Sequence, residues 1–423
     1  MKIEKIDISF DDEEFSEKEK IEINLSDEDN KKSDAEIFVK EKLIIADNFE
    51  EAPAKIITPT NSFHFANQSC NKYYDVNIQF PTGLESGFRK KFSVDTGFEF
   101  FTDILTDSKN IILTASTGEI IFISKNSGRL SSVINTNGEY IEKTGLVYEE
   151  KIFISTLNSL FECTETNLKS IYKAEEGYYI WTNLNLTGES IIFGVYSENE
   201  KKFKIILYDI KEFVYSEIYE GFAMKYFGDS MVVNKSKVYV KADKSLIVID
   251  FSNDKNEIKI EILETPVENE AYIMSNNTGI VMADKKDVYF LNIVLNEKEF
   301  KYTGISCYEI NSIAGYGDRV FTGTGNGWSH YKISGVSESN TEDIAENIIQ
   351  ALNQNVISIS RKNKIIFYNL NKIQEAEGFI ISSENVSKSQ EIISVIYDNS
   401  HIYVLTDNGI LTCFSNDKLN IHI

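Results

Sequence analysis

The run Gly323-Thr324-Gly325-Asn326-Gly327 has the composition of a loop that cradles phosphate. Glycines in such a loop let successive backbone N–H groups face an anion. A dinucleotide site of this kind also needs a strand before the glycines and a helix after them. The next residues, Trp328-Ser329-His330-Tyr331-Lys332-Ile333, read as a strand. The glycines are therefore assigned to a turn between strands. His64, His330, His401 and His422 share no metal-ligand spacing and are read as surface or packing residues. The acidic run Asp11 to Glu14 lacks the spacing of a calcium loop and reads as solvated tail. No nucleophile-elbow, P-loop or kinase signature occurs. The expectation is a chain with no catalytic residue, no metal site and no cofactor. Tyr178, Tyr179 and Trp181 lie together in sequence, as binding anchors in a loop or as packing between neighbouring sheets.

Cys70, Cys163, Cys307 and Cys413 are about a hundred residues apart, with no close pair. Isolated thiols of this kind fit a reducing compartment. The first residues, Met1-Lys2-Ile3-Glu4, lead into acidic sequence without the apolar core of a signal peptide. No stretch approaches the ~20 apolar residues of a membrane helix. A cytoplasmic location is expected. The 423 residues carry a net charge of −23. Such a surface repels phosphate backbones and anionic lipid, which argues against nucleic acid and membrane as direct partners. Other proteins remain the expected partners.

The elements that position these residues are strands. Tyr 22, Phe 27 and many Ile and Val occur in short runs, with only 4 Pro; β-branched and aromatic residues suit a pleated, half-buried surface. Residues 1–60 are different, a charged arm with 18 acidic and 8 basic side chains in its first 51 residues. Within the arm, Lys5-Ile6-Asp7-Ile8-Ser9-Phe10 resembles Lys20-Ile21-Glu22-Ile23-Asn24-Leu25, and an acidic run comes after each copy. Both copies read either as a solvated tail or two outer strands of the folded body, or as motifs that add to a partner's sheet edge. In that second reading Ile6, Ile8, Phe10, Ile21, Ile23 and Leu25 are the contact residues. Residues 61–423 form the second region, with its regular pattern beginning near residue 94. Hairpins recur there: Ile111–Ala115 with Ile120–Ile123, Ile152–Ser155 with Leu160-Phe161, Ile191–Val195 with Ile205–Tyr208, Val238–Val240 with Leu246–Ile249, Gly279–Met282 with Val288–Leu291, Val320–Thr322 with Trp328, Val356–Ile359 with Ile365–Tyr368, and Ile402–Leu405 with Ile410-Leu411. A period of roughly 40 residues with four strands per unit is the mark of a propeller blade. The predicted fold is an all-β single propeller of about eight four-stranded blades, seven being the alternative count. Tyr73–Phe80 alternates like a strand and is expected to close the ring as an outer strand of the last blade.

Ala115-Ser116-Thr117-Gly118-Glu119-Ile120, continuing to Asn126-Ser127-Gly128-Arg129-Leu130, resembles the quinoprotein-type propeller repeat, and Asp407-Asn408-Gly409-Ile410-Leu411 is similar. The resemblance is to the quinoprotein-like and WD40-like propeller superfamily and covers about residues 94 to 423. The chain lacks the Trp-Asp dipeptides of WD40 repeats. Quinone-dependent dehydrogenases of this fold use a cysteine pair and an acidic metal cluster, and the isolated cysteines do not provide the pair. The leading expectation is a non-catalytic scaffold for protein–protein interaction, with a rigid ring that offers loops at both faces and an acidic arm that offers a tether. A propeller that binds a small ligand or carbohydrate, with or without hydrolase activity, is the alternative.

Overall fold

The computed structural model describes strands at Leu43–Ile45 and Asp75–Ile78, and then residues 89–422 apart from short connecting segments. The copies at Lys5 and Lys20 lie outside the described residues. Residues 39–423 form one compact unit.

The repeated hairpins are the second and third strands of successive antiparallel sheets. Among the described residues there are eight such sheets. Blade 1 runs outward through Leu105–Thr106, Asn110–Thr114, Glu119–Ser124 and Leu130–Asn135. Blade 2 comprises Leu146–Tyr148, Lys151–Ser155, Ser159–Thr164 and Asn167–Lys173. Blade 3 has Asn185–Thr187 innermost, with Tyr179–Ile180 on the same neighbour, then Ser190–Ser197, Lys202–Asp209 and Val214–Phe222. Blade 4 comprises Met231–Asn234, Lys237–Ala242, Ser245–Asp250 and Lys259–Glu264. Blades 5, 6 and 7 repeat the order from Tyr272–Ser275, Ile310–Tyr316 and Ile348–Asn353. The glycine-rich run of blade 6 joins two strands, Arg319–Thr324 and Gly327–Lys332, so a strand and not a helix comes after it.

Blade 8 contains Ile392–Asp398, His401–Thr406 and Ile410–Ser415, and takes its outer strand, Arg89–Asp95, from the other end of the chain. The segment expected to do this, Tyr73–Phe80, is placed differently. Its Asp75–Ile78 pairs antiparallel with Leu419–His422 in a separate two-stranded sheet. The blade pattern thus begins at Leu105, and residues 89–95 belong to the last blade. Both segments alternate in sequence, and packing decides between them. Phe92 and Val94 of Arg89–Asp95 lie against a cluster shared by blades 1 and 8, formed by Phe100, Ile111, Ile121, Ile396, Tyr403 and Leu411 among others. Gly128, at φ +67, lies under the Phe92 ring, where a Cβ would come within 2.5 Å of it.

Blades 1 to 5 are apolar on both faces, so the burial of each depends on two neighbours. Ile192, Phe203, Ile205 and Leu207 of blade 3 pack on Val238, Val240, Ile247 and Ile249 of blade 4. Near the inner edges, polar groups tie the blades in series. The Ile104 N–H donates to Ser394 Oγ at 3.1 Å, joining blades 1 and 8. The Asp103 N–H donates to Thr144 Oγ1 at 3.1 Å, and the Thr144 N–H donates to Asn183 Oδ1 at 3.2 Å, carrying the link to blades 2 and 3. These buried groups satisfy backbone donors where the sheets begin.

Candidate functional site

The connections between blades carry a local repeat that the hairpin pattern does not reveal. Gly97-Phe98-Glu99-Phe100, Gly138-Glu139-Tyr140-Ile141 and Gly177-Tyr178-Tyr179-Ile180 each precede an inner strand by the same spacing. All three glycines have positive φ, at 73, 77 and 82°, a conformation that glycine adopts without the steric cost a Cβ brings. The fourth residue, Phe100, Ile141 or Ile180, is buried. The third residue, Glu99, Tyr140 or Tyr179, is left toward solvent by the same turn. Tyr140 is 55% exposed and Tyr179 is 42% exposed. The two are neighbours through Leu157, in the turn between the second and third strands of blade 2. The Leu157 N–H donates to the Tyr140 carbonyl at 3.3 Å, and the Ile180 N–H donates to the Leu157 carbonyl at 2.6 Å. Tyr272, which opens the inner strand of blade 5 on the same side of the ring, is 38% exposed.

The three residues singled out by sequence therefore part company. Tyr178 is buried in the cluster between blades 2 and 3. Its hydroxyl donates to Glu200 Oε2 at 3.1 Å, and Lys204 Nζ lies 5.0 Å from its ring centroid. Burial, with Glu200 beside it, pushes the Tyr178 pKa up to about 12. Trp181 packs against the cluster between blades 3 and 4, 6.1 Å from Tyr196. Tyr179 alone of the three presents its ring to solvent. Tyr140 escaped the sequence reading because its surroundings are not aromatic; the Gly-x-Tyr-Ile match to residues 177–180 is the signal that finds it. Around these tyrosines the charge is acidic but engaged. Thr156 Oγ1 donates to Glu139, and Lys204 Nζ bridges Glu175 at 3.0 Å and Glu217 at 3.1 Å. Burial opposes the Lys204 ammonium, but these two carboxylates carry its pKa upward overall.

On the opposite side of the ring, a groove of about 850 Å³ spans blades 8, 1 and 2. Lys125 of blade 1 forms an ion pair with Asp398 of blade 8 across the closing seam. Lys91 Nζ donates to the Lys125 carbonyl at 3.3 Å and to His401 Nε2 at 3.1 Å. An ammonium has no lone pair, so Nε2 accepts and the ring proton sits on Nδ1. Burial lowers the His401 pKa, and the Lys91 charge lowers it further. Ser108 Oγ donates to Glu150 at 2.7 Å, and Asp107 accepts the Lys109 and Asn110 N–H groups. The groove is polar and carries both signs of charge, and its Lys91, Asp107, Lys125, Glu150 and Asp398 side chains already have partners within the chain.

This geometry is matched among solved structures. BamB from Moraxella catarrhalis superposes with a TM-score of 0.55 at 10% identity, over 78% of this chain and 98% of that one. The fold is a β-propeller. A computationally designed protein, Ika8, superposes with a TM-score of 0.56, again at 10% identity, over 82% of this chain and 99% of its own. At such identity the likeness is one of fold alone. No family model and no curated protein matches the chain.

Proposed function

We propose that this propeller is a non-catalytic scaffold that binds another protein on the side carrying Tyr140, Tyr179 and Tyr272. The supporting observation is the Tyr140–Leu157–Tyr179 surface. A repeated turn holds two tyrosines exposed on a rigid frame, with Leu157 between their backbones. Tyrosine offers a large apolar contact and one polar tip at low conformational cost, and is enriched where protein interfaces concentrate their energy. The partner reading includes no direct contact with nucleic acid or membrane, supported by the net charge of −23. A cytoplasmic setting is supported by Cys163 and Cys413, which are buried, unbridged thiols whose pKa values burial raises. The polar groove over blades 8, 1 and 2 favours a second reading, a site for a small polar ligand such as a carbohydrate. The two readings separate by experiment. Affinity capture with the double variant Tyr140→Ala, Tyr179→Ala should lose the partner, while the melting temperature stays within about 2 °C of the parent. Undiminished capture by this variant would remove the tyrosine surface from the account. Protection of the parent by a carbohydrate panel in thermal shift would move the function to the groove.

A further inference from the structure

Most outer strands of a propeller expose one edge, and natural proteins protect such edges with charge, twist or cover. The outer strand of blade 4, Lys259–Glu264, leaves its edge open. It pairs on one side with Ser245–Asp250, and among the described residues no strand pairs with its other edge. Its solvent face carries Ile260 at 43% and Ile262 at 59% exposure, two isoleucines on one face of one edge strand. Ile258, just before it, is partly buried on the same side, against the blade 3–4 cluster. Lys259 and Glu261 alternate with these residues and point to the other face.

The order Ile258-Lys259-Ile260-Glu261-Ile262 is complementary to itself when reversed. An antiparallel neighbour of the same sequence, centred on Ile260, sets Ile260 against Ile260, Ile258 against Ile262, and Lys259 against Glu261, twice over. Directly opposed residues of an antiparallel pair have Cβ atoms about 5 Å apart, so opposite charges attract there and apolar pairs pack. A two-fold axis produces this pairing, because each residue's contact is returned by its mate. Within one chain Glu261 meets Lys298 at 2.5 Å, and both side chains are nearly half exposed. A pair so exposed contributes little and yields to a closer partner.

We propose that this edge is the contact between two copies of the chain, joining two blade 4 sheets into one through antiparallel pairing of residues 258–262. The edge supplies unpaired backbone donors and acceptors, and the two isoleucines supply the apolar contact that an isolated ring leaves in water. The surface is small by the standard of stable interfaces, so the dimer is a weak one that forms with rising concentration.

The test is a charge swap in the full chain, read by analytical ultracentrifugation from about 1 to 200 μM. The parent should pass from monomer to dimer across this range. Glu261→Lys opposes Lys to Lys, and Lys259→Glu opposes Glu to Glu, so each variant alone should stay monomeric at the highest concentration. Mixed together, the two variants restore both opposite-charge pairs and should associate as the parent does. A parent that stays monomeric throughout, or single variants that both still dimerise, overturns the proposal. So does a mixture that fails to associate. In that case the edge would belong to the arm copies at Lys5 and Lys20, which carry the same Lys-Ile-acid-Ile signs and are unchanged in both variants.

Discussion

Lys241 shows how much a single residue owes to its place in the ring. It lies in the second strand of blade 4 and is 1% exposed, with its ammonium donating to the Asp243 carbonyl. Burial drives its pKa down, against a smaller opposing pull from Asp243, to about 8. The unfolded chain holds this proton up to the ordinary lysine range, so between pH 8 and about 10 the unfolded state binds more protons than the folded one. The burial penalty is complete below pH 8 and is relieved as pH rises through that window. Lys241→Met keeps the volume and removes the charge. Urea unfolding should show the variant more stable than the parent at pH 7, by on the order of 1–2 kcal/mol after the lost hydrogen bond is allowed for. That margin should narrow by pH 9.5. An unchanged margin would mean that the ammonium is not the source of the difference.

At the scale of the element, the closing strand is decisive. Arg89–Asp95 gives blade 8 its fourth strand and lays Phe92 and Val94 on the blade 1–8 cluster. Removing residues 1–88 leaves that strand in place, and removing residues 1–96 opens the ring. The shorter truncation should keep most of the parent's melting temperature. The longer one should fall by on the order of 10 °C or aggregate, because it exposes an edge and an apolar seam. Equal stability of the two truncations would take the closing role away from residues 89–95. The parallel pairing of Leu43–Ile45 with Val133–Asn135 covers another outer edge, that of blade 1. Here too a segment from the N-terminal part of the chain finishes a blade rather than starting one.

At the scale of the whole molecule, the blades depend on one another through shared faces, and the chain itself crosses the seam between the first and the last, running from Arg89–Asp95 in blade 8 to Leu105–Thr106 in blade 1. Noncovalent contacts at the Lys125–Asp398 pair and the Ile104–Ser394 hydrogen bond tie the same seam. Damage there should be felt by every blade together. Asp398→Ala leaves the Lys125 charge partly buried without its carboxylate, at a cost of on the order of 1–3 kcal/mol. In urea, the midpoint should drop while the slope of the transition stays unchanged, as for one cooperative unit. A second transition appearing in the variant would show that the ring unfolds blade by blade.

The strand type, the hairpins and the repeat were written in the sequence itself, because each depends on neighbours along the chain. Ile111–Ala115 turns into Ile120–Ile123 for local reasons, namely alternating apolar residues and a Gly118 turn, and the same holds around the ring. The arm's duplicated motif was equally legible, but it lies outside the described residues. Tertiary structure alone decided three things. It chose Arg89–Asp95 over Tyr73–Phe80 as the closing strand, since both alternate and only the Phe92 contact with Gly128 and the blade 1–8 cluster separates them. It sent Tyr178 and Trp181 to opposite faces of blade 3 and left Tyr179 beside Tyr140, although about forty residues of sequence lie between these two. And it turned Ile260 and Ile262 from core-like letters into surface, because an outer strand runs past the last neighbour that would have covered it. Local sequence fixes which residues a strand can bury; only the closed ring determines where its neighbours stop.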